Sequence, residues 1–218
     1  MSDTDSFVQE VTEELRRDRM LKLWKSWGPG VIFAVVAVVA ATAVLEWRKQ
    51  RDEAAAQEAG AALIEALQSS TPEAKALRFS EAAEALPEGP ALLARLGEAN
   101  ARIEAGEEDA AAAILRDVAA RGGVDPLYRD LADFKAALVE LPKLTPSERV
   151  AAMTPFTAET HPFRLLALEQ RAGAQLAAGD REAARADATA ALQDQMASRG
   201  LRERLAQLLE LIGPEEDA

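Results

Sequence analysis

Groups able to do covalent or acid–base chemistry are sparse in this 218-residue chain: it has one histidine, His161, and no cysteine. Without a thiol there is no thiolate nucleophile, no zinc-finger cage and no iron–sulfur ligation. A general base at His161 would need an orienting acid and a nucleophile held beside it. A surface residue directly ahead of Pro162 and a helix start is the plainer role. The carboxylate pairs Glu107-Glu108 and Glu215-Glu216 fall in a turn and a tail, where solvation accounts for them. A few carboxylates can hold a divalent ion loosely, but no spacing here fixes a coordination geometry. No phosphate loop, dinucleotide fingerprint or His-x-x-x-His pair occurs. The expectation is a chain that is not an enzyme and takes no cofactor or metal.

What the chain offers instead is surface and hydrophobic pattern. Beyond residue 51 there are 30 Asp and Glu against 17 Lys and Arg, a net of −13. Phosphate binding needs a basic surface, so nucleic acid is excluded as a partner. The absence of cysteine is compatible with an oxidising compartment, because 167 residues are enough for a core that needs no disulfide.

One stretch stands apart. Ser26–Leu45 is twenty residues without a charge, bracketed by Lys25 and Glu46. A helix rises about 1.5 Å per residue, so roughly 20 apolar residues cross a ~30 Å hydrocarbon core. All three tryptophans flank it: Trp24 and Trp27 at one rim, Trp47 at the other. Their rings prefer the headgroup level of a lipid bilayer. A transmembrane helix over 26–47 is predicted, with these tryptophans as its interface anchors. Five basic residues precede it (Arg16, Arg17, Arg19, Lys22, Lys25) and three follow closely (Arg48, Lys49, Arg51). That bias puts the N-terminus in the cytoplasm and exports the rest. Ala41-Thr42-Ala43 matches a signal-peptide cleavage pattern. However, the charged region ahead of the apolar run is 25 residues long, and the run continues unbroken to Trp47. Ahead of it, Phe7, Val11 and Leu15 recur at four-residue spacing after Ser6, an amphipathic leader over 1–25.

After the span the chain is built of helix formers. Glu46–Ser69 carries no proline, and Thr71-Pro72 is a cap followed by a first-turn proline. Glu73–Leu86 follows. Then Pro90, Pro126 and Pro162 recur 36 residues apart. Each opens a helical run that stops 16 or 17 residues on, at Gly106, Pro142 and Gly179. A second run succeeds each stop: Glu108–Ala120, Pro146–Met153 and Arg181–Gln195. Leu201–Ile212 would cap the array. Paired helices at a period in the mid-thirties mark a stacked helix–turn–helix solenoid.

These residues resemble the tetratricopeptide repeat. Leu93-x2-Leu96-Gly97-x2-Asn100 is a degraded form of its first-helix pattern, and Gly179-Asp180, Ala184 and Ala191 echo its turn and second helix. The aromatic first-helix positions are missing, and the middle repeat turns at Pro142 instead of a glycine. Such stacks present the inner face of each first helix to peptides or partner domains. Aligned on the turns, that face would draw on Leu93, Asn100, Arg129, Leu166 and Glu169. Core packing is the alternative role for the leucines.

The whole layout is similar to one family, the YfgM-type ancillary subunits of the bacterial Sec translocon. A charged leader with Glu13-Glu14-Leu15-Arg16-Arg17-Asp18-Arg19, a span entered through residues 22–30, and an acidic helical array carry that resemblance. It implies a single-pass inner-membrane protein: a cytoplasmic leader 1–25, a span 26–47 and a periplasmic repeat domain 48–218. The partners it implies are translocon channel subunits, a membrane-anchored periplasmic peptidyl-prolyl isomerase and unfolded secretory chains, received as by a chaperone. A repeat scaffold for another envelope assembly, such as cytochrome maturation or a respiratory complex, is the alternative. An enzyme with a carboxylate-bound metal is a third possibility.

Overall fold

The computed structural model describes residues 3–213; within the first helix, side chains are described at residues 30 and 33 and from 36 onward. The described residues form α-helices and two short 3-10 turns, with no strand among them. The helices are α1 (Asp3–Leu67), α2 (Pro72–Ala85), α3 (Glu88–Glu104), α4 (Glu108–Ala120), α5 (Pro126–Glu140), α6 (Pro146–Met153), α7 (Arg164–Ala177), α8 (Arg181–Gln193) and α9 (Arg199–Ile212). The all-α expectation is met.

Two compact units make up the chain, Met1–Glu58 and Ala59–Ala218. The division falls inside α1. Its physical cause is burial: Ala59 is the first described α1 side chain to be covered, and Ala66 is fully so.

In the first unit, Val36, Val38, Val39, Val44, Leu45 and Trp47 are each more than half exposed. At 3.6 residues per turn these positions point to every side, so no face of the stretch is covered by described residues. Among the described residues no helix is long and apolar enough to cross a membrane. The predicted span lies partly outside the described side chains. Trp24, Trp27 and the leader stripe lie wholly outside them, as does the Glu215-Glu216 tail. Trp47 is described, with the Arg51 guanidinium 5.6 Å from its ring.

Helix boundaries in the second unit follow from local chemistry. The Ala74 N–H donates to the Thr71 hydroxyl ahead of Pro72. Asp125 caps α5, Asp180 caps α8 and Ser198 caps α9 in the same way. Thr145 and Glu148 form a reciprocal capping box at the start of α6. Gly106 and Gly179 have φ of 78° and 90°. That left-handed backbone lets the Glu107 N–H reach back to the Arg102 carbonyl, and the Asp180 N–H to the Gln175 carbonyl. Two starts differ from expectation. Chain exit through Pro87 lets α3 begin at Glu88, ahead of Pro90. Pro162 sits in a turn ahead of α7, where the His161 N–H donates to the Ala158 carbonyl.

The core is a succession of small clusters, each shared by neighbouring helices. Ala66, Phe79, Ala82 and Ala94 join the end of α1 to α2 and α3. Leu96, Leu115, Val118 and Ala132 join α3, α4 and α5. Phe134, Met153, Phe156 and Ala167 carry the core from α5 to α7. Leu168, Ala184, Leu201, Leu205 and Ile212 close it over α7, α8 and α9. Alanine at most contacts lets the helices approach closely, and the hand-over from cluster to cluster makes the unit quasi-one-dimensional.

The middle repeat breaks the pattern. Proline is locked near φ −65° and cannot take the left-handed turn that glycine makes elsewhere. The chain therefore leaves α5 through a 3-10 turn, Leu141–Lys143, and α6 is only 8 residues long. That short helix packs mainly on α7, and meets the α5 that precedes it through the buried cluster Met153 shares with Phe134 and Ala137.

Candidate functional site

Leu93 on α3 and Leu166 on α7 each lie thirteen residues ahead of their turn glycine. They are 46 % and 40 % exposed. Core packing is therefore not their role; both offer apolar surface to solvent. Arg129 occupies the same register in α5 and is half-buried, with a covered Nε that has no hydrogen-bond partner. Asn100 and Glu169 are already engaged. The Asn100 Oδ1 accepts a 2.5 Å hydrogen bond from Lys135 Nζ, linking α3 to α5. Glu169 accepts two from Arg204, at 2.6 and 2.8 Å, linking α7 to α9. No hydrogen bond or ion pair joins any two of the five predicted residues, and only Glu169 of them lines the cleft between α5 and α7.

These two links share a property that sequence periodicity alone does not reveal. Each joins residues 35 positions apart on successive first helices. Between α5 and α7, where the third such link would fall, there is a cleft of about 580 Å³. This lies within the roughly 300–1,000 Å³ usual for ligand-sized clefts. Leu138, Leu141 and Pro142 form one wall, and Leu208 of α9 another. The floor is α7 at Glu169, Gln170, Gly173 and Ala174, with Arg149 of α6 at the edge. Pro142 is the root of it: the chain leaves α5 through the 3-10 turn and α6 packs mainly on α7, while the end of α5 keeps its partner in α4, where Arg116 pairs with Glu140 at 2.5 Å.

The charges of the cleft are unequal. Glu169 is the carboxylate among its lining residues, and Arg204 neutralises it; that contact in turn makes the Arg204 proton harder to remove. Arg149 donates from Nε to the Leu144 carbonyl at 3.0 Å and from Nη2 to the Pro142 carbonyl at 3.4 Å. No described carboxylate lies within ion-pair distance of it. Gly173 is mid-helix, and nothing lies within 4 Å of where a Cβ would stand. Its lack of a side chain serves no internal packing.

His161 takes a structural position. Its ring meets Phe156 edge-on at 5.3 Å, its Nδ1 accepts the Phe163 N–H at 3.2 Å, and Phe163 stacks on Phe134. It is half-buried, not the free surface residue expected from its place before Pro162. Glu107 and Glu108 are held by Arg102 and Lys143. Among the described residues no three His, Asp or Glu side chains gather where a metal ion could be held. The arrangement supplies apolar walls, an unmatched guanidinium and open backbone: the means to bind a chain.

Arg149, Leu138, Leu141 and Gly173 escaped the sequence reading, which aligned first helices and followed one face. Two signals were present: Pro142 in place of the turn glycine, and a glycine inside an otherwise strong helix.

Residues 22–212 match a protein family described as Tetratricopeptide repeat-like domain. No curated protein and no solved structure matches the chain.

Proposed function

The chain belongs to the tetratricopeptide repeat-like domain family, and from that membership we propose a non-enzymatic, membrane-anchored adaptor that binds other proteins through its helical array. The observation that carries the reading is the extent of the match. It begins at residue 22, ahead of the uncharged run Ser26–Leu45, so the apolar segment lies within the family's own domain. Exposed valines and leucine on every side of residues 36–45 support burial in lipid rather than in protein.

In this reading the leader is cytoplasmic, and the acidic array lies on the periplasmic side of a bacterial inner membrane. The array acts as a chaperone-like receiver of secretory chains beside the Sec translocon. The likeness in layout to YfgM-type subunits supports that placement. Anchoring raises the effective concentration of the array at the channel exit, so weak contacts suffice. Net negative charge keeps the array off anionic lipid.

Photocrosslinking from residues 36–58 tests the placement. Recovery of channel subunits or a membrane-anchored peptidyl-prolyl isomerase is expected. Recovery of a cytochrome-maturation or respiratory assembly instead would reassign the adaptor to that machine. A reporter fused after Ala218 should be active only outside the cytoplasm.

A further inference from the structure

We propose that the cleft between α5 and α7 is a recognition site for an extended peptide segment in which a large apolar side chain stands next to a carboxylate. The inference rests on the reading of the array as a protein-binding module, and it names the chemistry of what is bound.

Three observations carry it. The first is shape: about 580 Å³ is more than one side chain fills, and Leu138, Leu141 and Leu208 give it apolar walls. The second is charge. Within an acidic chain, the cleft's carboxylate, Glu169, is taken by Arg204, while Arg149 faces no described carboxylate. Its two carbonyl contacts fix the guanidinium plane but leave Nη1 and the positive charge unmatched, and a carboxylate satisfies a guanidinium best. A lysine-bearing segment would meet that same charge as a repulsion.

The third is Gly173. Glycine inside a helix is destabilising relative to alanine, and here no neighbour requires it, because a Cβ would meet nothing within 4 Å. Open helix backbone on the floor of a cleft is what a bound main chain needs for close approach. Gln170, exposed one turn earlier, adds an amide that can both donate to and accept from a peptide group.

The test uses the full-length chain in mild detergent and three fluorescein-labelled hexapeptides read by anisotropy. These are Gly-Glu-Leu-Phe-Glu-Gly, its lysine counterpart Gly-Lys-Leu-Phe-Lys-Gly, and the apolar-free Gly-Glu-Ser-Ser-Glu-Gly. The first should bind at least ten-fold tighter than either of the others. Gly173→Leu should lose that binding ten-fold or more while melting no lower than the parent, because the added side chain enters empty space. Gln170→Glu, an exposed change that places a second carboxylate in the cleft, should weaken the acidic peptide ten-fold and spare the lysine peptide. Equal binding of the acidic and lysine peptides overturns the proposal, as does full binding to a folded Gly173→Leu or Gln170→Glu chain. The outcome is separable from the placement at the translocon. Channel crosslinks with no cleft-dependent peptide binding remove only the site, and cleft-dependent binding without those crosslinks removes only the placement.

Discussion

Arg204 of α9 grips Glu169 of α7 through two hydrogen bonds of 2.6 and 2.8 Å, and the acid is far more covered than the base. A bidentate pair of this kind fixes orientation as well as distance. It clamps the last helix onto the array beside the cleft. In a double-mutant cycle, Glu169→Gln and Arg204→Gln should each lower the melting temperature, and the double variant should fall less than the sum of the two. Strict additivity would show that the clamp contributes nothing.

Two glycines should respond in opposite directions to the same change. A Cβ at Gly97 would stand 2.6 Å from the Phe79 ring, which is itself buried in the α1–α3 cluster and cannot swing aside. Gly97→Ala should therefore destabilise by about 1–3 kcal/mol, the usual cost of overpacking. Gly173→Ala meets no neighbour and gains helix propensity, so it should stabilise by about 0.5–1 kcal/mol. Urea melts of the two variants decide the matter, and equal signs would refute the assignment of Gly97 to packing and Gly173 to open space.

The sequential core predicts that damage stays local. Leu115 and Leu205 are both fully buried, but in different clusters. Each Leu→Ala change should cost about 2–5 kcal/mol where it occurs. Hydrogen exchange should place the loss in α8 and α9 for Leu205→Ala, and in α3 to α5 for Leu115→Ala. Uniform loss of protection in both variants would mean that the array unfolds as one cooperative block.

Helix limits were legible because they are set by single residues. Thr71-Pro72 pairs a cap with a first-turn proline, Pro126 and Pro146 open their helices, and Gly106 and Gly179 supply the left-handed stops; the caps at Asp125 and Thr145 emerge only in the structure. Side-chain partnership was not legible, because it depends on how helices 35 residues apart register in space. Nothing local to Asn100 announces Lys135. Burial also pushes the Lys135 ammonium toward losing its proton, an effect of the packed partner helix. Glu98 is covered despite its charge because Arg102, one turn on, bonds it at 2.8 Å. The cleft was hidden for a related reason. Pro142 was visible as a departure from the repeat, but the shift of α6 onto α7 follows from a packing choice that helical periodicity does not encode.

The capping box at α6 makes a pH-dependent prediction. The Thr145 hydroxyl and the Thr145 N–H both donate to Glu148 Oε2, at 2.7 and 2.8 Å. Those two bonds, the hydroxyl's first, hold the Glu148 carboxyl below its usual range. A carboxylate depressed by folding stabilises the native state fully above its ordinary titration near pH ~4.3. That contribution is lost as pH falls through the lower, folded value. Thr145→Ala removes the larger of the two donors and leaves the backbone one. The Glu148 side-chain signal in a carbon-13 titration should then move up in pH toward the ordinary carboxylate value without fully reaching it. The acid limb of the stability curve should become shallower over the same interval, and stability near neutral pH should drop because the Glu148 N–H also loses its cap. An unchanged titration midpoint would mean that the backbone donor alone holds the acid, and that the hydroxyl serves only the helix start.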